Sequence, residues 1–163
     1  MKFGISQIQG SDRDWVIDAH ADHYARVERF DGTFPIAVAA AFDACLAAPE
    51  GIGWIARTDG RRCGSLLLTP LGRDALQIRL FLVVEDARGR GLGRRLLTTA
   101  RDEGRARGAR RLTVATFAEH RDACALYSAF GFTLDSRAPA RAFGRDLTLQ
   151  TWSYPLAIAE SDR

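Results

Sequence analysis

The stretch EDARGRGLGRRLL, residues 85–97, sets Gly89, Gly91 and Gly93 at alternate positions among Arg88, Arg90 and Arg94, then passes through Leu92 into an amphipathic leucine pattern. A tight glycine loop between an apolar strand and a helix start exposes successive backbone N–H groups. The positive end of the helix dipole points back at them. The chemistry this suits is the binding of a pyrophosphate, with arginine forks supplying charge at the rim. Glycine is expected at 91 and 93 because a side chain there blocks close approach of the backbone to the anion. Two familiar phosphate loops are excluded. A dinucleotide fingerprint counted from Gly89 needs glycine at 94, where Arg94 stands, and no Gly-Lys pair follows at the spacing of a nucleoside-triphosphate loop. The competing reading is a plain glycine turn with solvated arginines.

The chain has 163 residues, 47% of them hydrophobic and 26% charged, which suits one globular domain spanning 1–163. Lys2 is the only lysine among 23 basic residues, and the formal charge is +3. This arginine excess weakly favours an anionic partner and names none. No apolar window is long enough to span a membrane, and the start MKFGISQIQG lacks the apolar core of a secretory signal. A cytoplasmic protein without membrane association is expected. Cys45, Cys63 and Cys124 are odd in number and widely spaced, so they read as core fillers rather than a disulfide or zinc framework.

The elements that must position the loop can be read in order. Ser11 is a candidate cap for a first helix that places Ile17, Ala21 and Tyr24 on one face. Thr33 and Pro35 open an alanine-rich second helix that ends at Pro49 and Gly51. Two apolar runs around Asp59-Gly60 form a hairpin, and ALQIRLFLVV is a further strand entering the loop. A helix from about Gly93 to Arg107, the strand RRLTVAT, the short helix RDACALYSAFG and two antiparallel strands near 132–135 and 147–154 complete the chain. The fold class is α/β (α+β).

The spacing Arg88-x-x-Gly91-x-Gly93 after LFLVV resembles the acetyl-CoA motif of the GNAT N-acetyltransferase superfamily. About 35 residues on, HRDACALYSAFGF resembles the family's NxxAxxLYxxxGF segment, with His120 where asparagine is common. The segments DWVIDAHADHYARVERFDGTF and ARAFGRDLTLQTWSYPL are similar to the acetyltransferase half of bacterial proteins that fuse a MarR-type regulator to a GNAT domain. Because the first helix signal comes so soon after Met1, no DNA-binding module is expected in this chain.

The resemblance implies a mixed, mostly antiparallel sheet of about six or seven strands with one splayed parallel pair, flanked by about four helices. It implies acetyl-CoA as co-substrate, lying between LQIRLFLVV and RRLTVAT. Main-chain groups of Phe81, Leu82 and Val83 would face the pantetheine and thioester, and residues Arg88, Gly89, Arg90, Gly91, Leu92, Gly93 and Arg94 would clasp the pyrophosphate. A backbone N–H aimed at the thioester oxygen stabilises the charge that develops there. Tyr127 takes the position of the family's general acid toward the departing sulfur. The implied reaction is acetyl transfer to a small amine, and the family's habit makes a homodimer one expectation.

The amine must lose a proton, and the base is left open between His120 and Glu119. The strand before the loop carries Gln77 and Arg79, where many relatives have a glutamate. His120 has the suitable ordinary pKa of ~6.5, and its rival role is a helix cap. His20 and Tyr24, one helical turn apart, either line the acceptor site or belong to the core. No metal is assigned to His20-x-x-His23, which lacks a third ligand nearby. The other functional class is a non-catalytic CoA binder, or a nucleic-acid binder using RDEGRARGARR at 101–111. That segment carries Asp102 and Glu103 and no aromatic residue, so a solvated helix is the better account and no nucleic-acid partner is expected.

Overall fold

A computed structural model describes residues 2–156. Among them the chain forms β1 (Gly4–Gln7), α1 (Arg13–Val27), α2 (Thr33–Ala47), β2 (Ile52–Thr58), β3 (Arg61–Leu71) and β4 (Ala75–Val83). α3 (Leu92–Ala106), β5 (Arg111–Phe117), α4 (Arg121–Phe130), β6 (Thr133–Ala142) and β7 (Arg145–Pro155) follow. The seven strands make one sheet in the order β1-β2-β3-β4-β5-β7-β6. Only β4 and β5 run parallel, joined through α3, and every other neighbouring pair is antiparallel. The expected mixed sheet with one parallel pair and four helices is therefore the observed fold.

The sheet has a helical layer on each face. Leu92, Leu96, Leu97 and Ala100 of α3 pack with Leu66, Leu68, Ile78, Leu112 and Val114 on one face. On the other, Val16 of α1 and Val38, Phe42 and Cys45 of α2 pack on Ile55 and Leu67. Leu66, Leu67 and Leu68 of β3 thus alternate between two buried faces, which is why this strand reads as an unbroken apolar run. The three cysteines are free.

Three local readings change. Ser11 does not cap α1. A turn of 3-10 helix over Gly10–Asp12 precedes that helix, and buried Asp12 accepts from the Gln9 N–H at 2.8 Å while pairing with Arg57 and Arg62. Thr33 is already inside α2, and Asp31 serves that end by accepting from the Thr33 N–H at 3.0 Å. β1 has no signal in the sequence: it is four residues long, mostly exposed, and owes its extended form to pairing with β2. β6 is likewise longer than its apolar pattern, since the exposed residues 133–142 are drawn into register by β7.

Candidate functional site

β4 and β5 pair only from Ala75↔Arg111 to Ile78↔Val114. Beyond that point β4 stays with β3 as far as Val83, and β5 stays with β7 as far as Phe117, so the two strands part and a V-shaped opening forms between them. The parting coincides with a bulge. Ser65 faces Leu82 and Leu67 faces Arg79, so β4 has one residue more than β3, and Leu80 adopts a left-handed φ of 48°. A branched side chain in this region carries strain of about 1–2 kcal/mol. Fully buried Ser65 offsets part of it by donating its hydroxyl to the Leu80 carbonyl at 2.8 Å. A lone serine inside CGSLLL was the available clue to this bulge.

Past β4 the chain makes one 3-10 turn at Glu85–Ala87 and enters the glycine loop. Gly89 and Gly91 have φ of 73° and 82°, and α3 begins at Leu92, so the loop turns its backbone toward the helix start through two positions that need glycine. A cavity of about 400 Å³ opens here, lined by every one of the ten expected loop and strand residues except Arg90. Arg90 and Arg94 are exposed, and the Arg94 guanidinium lies 5.4 Å from the centre of the Phe130 ring.

Two of the expected reasons change. Arg88 is not a free rim charge: its Nε donates to the Val83 carbonyl at 2.8 Å and its other nitrogens approach His23 and Asp122, so it pins the loop to the end of β4. At Gly93 the constraint is packing. A Cβ there would stand 2.8 Å from Leu126 Cδ2, so this glycine lets α3 close on α4.

A second cavity, of about 250 Å³, lies toward α1 and α2. It shares Tyr24, Phe81 and Ala123 with the first, so the two meet at the opening between β4 and β5. His20, Tyr24, His120 and Tyr127 are brought together in its wall, joined by Phe34, Phe117 and Phe143, which sequence patterning had not singled out. These aromatic residues come from four distant segments, and no spacing rule connects them.

His20 is buried, and its Nδ1 lies 2.7 Å from the Val16 carbonyl, an arrangement that makes Nδ1 the donor and leaves Nε2 as a lone-pair acceptor. His120 packs 4.6 Å from the Tyr24 ring, with Nδ1 3.4 Å from Thr116 Oγ1. Both Nε2 atoms are buried without a partner among the described residues. Burial lowers the pKa of each to about 4, so both rings are neutral at pH 7. For His120 this replaces the ordinary value assumed from the sequence. Burial also pushes Tyr24 up to about 12, and carries the Tyr127 hydroxyl well above the usual tyrosine range. Glu119 uses both carboxylate oxygens on the Thr148 N–H, at 2.8 and 3.3 Å, and so fastens the turn before α4 to β7.

The two histidines give a pH dependence of stability. In the unfolded chain each titrates near 6.5, and in the folded one near 4. Between these values the unfolded state binds more protons, so stability falls as pH drops through this window and is fully present above it. By pH 5 the loss is about 2 kcal/mol per histidine. The expected result is a melting temperature that drops from pH 7.5 to pH 5 and a shallower drop in the His20→Asn/His120→Asn double variant. Equal slopes for the two proteins would show that the rings are not held neutral.

Among the described residues no three histidine, cysteine or acidic side chains gather as a metal site, and no helix is long and apolar enough to cross a membrane. In the 101–111 segment Arg101 pairs with Asp102 at 3.4 Å and Arg107 with Glu103 at 3.6 Å.

Solved structures share this architecture. An acetyltransferase of the GNAT family from Staphylococcus aureus Mu50 superposes with a TM-score of 0.81 at 16% identity, covering 96% of this chain and 100% of its own. A GNAT superfamily phosphinothricin acetyltransferase from Sinorhizobium meliloti, in complex with AcCoA, gives 0.79 at 19% identity over 100% and 93%. The ribosomal-protein-S18-alanine N-acetyltransferase of Escherichia coli gives 0.75 at 20% identity over 99% of both chains. No curated protein gives a significant sequence match. The model of the acetyltransferase (GNAT) family matches residues 17–132, which contain the loop, the splayed strands and α4. With that match over more than half of the chain and the splayed sheet beneath it, this protein is a member of the GNAT acetyltransferase family.

Proposed function

We propose that this protein transfers the acetyl group of acetyl-CoA to the amine of a small acceptor. The observation that carries this reading is the meeting of two cavities at the β4–β5 opening, one bordered by the glycine loop and the other by His20, His120 and Tyr127. Residues 88–94 suit the pyrophosphate, since Gly89 and Gly91 leave the backbone bare ahead of α3 and Arg90 and Arg94 are exposed. The released edge of β4 at Phe81–Val83 suits the pantetheine arm, and a phosphinothricin acetyltransferase of the same fold holds AcCoA.

In the reaction the amine nitrogen bonds to the thioester carbon, the carbon–sulfur bond breaks, and the sulfur leaves with the bonding pair. One proton leaves the nitrogen and one reaches the sulfur, so none is gained or lost. His120, neutral and in the wall of the acceptor cavity, is the group we assign to take the first, once its buried Nε2 is reached directly or through one water. Glu119 adjoins His120 in the chain, and its charge favours the imidazolium that then forms. Tyr127, in the wall of the same cavity, is placed to donate to the sulfur. A non-catalytic CoA binder has no need for these groups at the junction, and the paired arginines of 101–111 offer little to a nucleic acid.

The test follows released thiol and acetylated amine together over a broad panel of amines. Amine-dependent release with one acetylated product per thiol is expected. Thiol release that ignores the amine, or binding of acetyl-CoA with no turnover on any amine, would overturn the reading.

A further inference from the structure

The acceptor cavity has an unusual lining. Phe34, Phe117, Phe143 and Tyr24 supply rings, His20 and His120 are neutral, and Arg79 is the only charged side chain among the described residues that line it. Among the described residues of this lining none is a carboxylate, and Glu28, Glu85, Glu119 and Asp122 line a neighbouring cavity that shares Tyr24, His120 and Ala123 with it. Arg79 lies on β4 two residues before Phe81, is exposed, and forms no ion pair among the described residues.

The ring cluster is held at a conformational cost. Phe143 and Gly144 form the tight turn between β6 and β7 with φ of 54° and 81°. Two-residue turns with both φ positive favour Asn-Gly or Asp-Gly, and a bulky aromatic there is strained. The turn is nevertheless tied down by the Asp31 N–H, which donates to the Phe143 carbonyl at 3.0 Å. The Phe143 ring then meets Phe34 edge-on at 4.9 Å and Phe30 at 5.0 Å. The ring so held packs on Phe30, Phe34 and Phe117 and forms part of the cavity wall, and strain kept beside a cavity is a ground for giving the ring a part in it.

From these observations, and resting on the transferase reading above, we infer that the acceptor is an aromatic α-amino acid. Its ring packs against Phe34, Phe117 and Phe143, and its carboxylate pairs with Arg79. Its amine, one carbon from the carboxylate, lies toward Phe81 at the junction with the other cavity. The volume of about 250 Å³ lies just below the usual range for ligand pockets, roughly 300–1,000 Å³, and suits a molecule of amino-acid size. The aromatic faces alone would also attract a cation, but Arg79 opposes a polycationic acceptor.

The experiment measures kcat/KM for phenylalanine, 2-phenylethylamine, alanine and spermidine with wild type, Arg79→Gln and Phe143→Asn, with acetyl-CoA binding followed by thermal shift. Wild type is expected to favour phenylalanine at least tenfold over both 2-phenylethylamine, which lacks the carboxylate, and alanine, which lacks the ring. Arg79→Gln should remove the first preference and Phe143→Asn the second, with the acetyl-CoA KM unchanged in both. Asparagine suits the left-handed turn, so Phe143→Asn is expected to fold at least as well as wild type. Preferred turnover of spermidine, or a carboxylate preference that survives Arg79→Gln, overturns the inference while leaving the transferase reading standing. Acetyl-CoA binding without turnover on these four or on the broader panel overturns both.

Discussion

Replacing Gly91 by glutamate is expected to abolish the rise in melting temperature that acetyl-CoA produces in the wild type, with a fall of at least a hundredfold in its affinity. Gly91 has a φ of 82°, and a Cβ at this position would meet nothing within 4 Å. The folded structure therefore has room for a side chain, and the cost of the left-handed backbone is about 1–2 kcal/mol. That cost is the same to a first approximation for alanine and glutamate. The difference between them lies in the ligand: a carboxylate one residue before α3 opposes an anion at the helix start, where wild type offers bare N–H groups. Gly91→Ala is accordingly expected to lose some stability and retain most of the ligand-induced shift. Thermal melts with and without acetyl-CoA for all three proteins decide the matter. A glutamate variant that folds and keeps the wild-type shift would remove residues 88–94 from the binding site.

Tyr127→Phe is expected to lower kcat by about ten- to a hundredfold, at or below the lower end of what general acid catalysis contributes. The size follows from proton affinities. With an ordinary tyrosine pKa near 10 and a thiol near 8.5, full transfer is uphill by about 2 kcal/mol. Burial makes this tyrosine a still weaker acid. We expect the hydroxyl to stabilise the departing sulfur by donating a hydrogen bond, with the final proton reaching the sulfur through water. Tyr127 is buried beside Phe81, Phe132 and Trp152, so phenylalanine fits its place and folding is preserved. A residue that only packs beside the pantetheine predicts instead a raised acetyl-CoA KM with kcat nearly intact. Measuring kcat and both KM values separates the two. A kcat within twofold of wild type, under conditions where chemistry limits turnover, would rule out the donor role.

The residues differ in how far their duties can be read from local pattern. Gly89 and Gly91 were legible because a left-handed backbone before a helix restricts the residue type whatever surrounds it. Gly93 was legible as a glycine and misread in its reason, since its constraint is Leu126 on α4, 33 positions away. Arg88 looked like a free rim charge, and its Nε is bonded to the Val83 carbonyl while the residue still lines the cavity. Its neighbours Arg90 and Arg94 look the same in sequence and are both exposed, and of the two Arg94 lines the cavity. A charged side chain reveals that it needs a partner, and only the folded chain decides which partner is in reach.

The catalytic side of the site shows the same division. The resemblance in HRDACALYSAFGF pointed to Tyr127, the ordinary chemistry of imidazole and carboxylate left His120 and Glu119 as candidate bases, and the structure has Tyr127 and His120 in one cavity wall. The neutral state of His120 depends on Tyr24, Phe30 and Phe117 surrounding its ring, which are contributed by α1, the loop after it and β5. The sequence by itself determined the element order after β1, the glycine loop and the apolar strands, because these follow from backbone sterics and from burial periodicity along a local stretch. The splay of β4 from β5, the Leu80 bulge held by Ser65, and the second, aromatic-lined cavity with Arg79 in its lining were decided by the tertiary structure alone. Each of them depends on which distant strand or ring lies opposite, and that is a property of packing between segments rather than of any one segment.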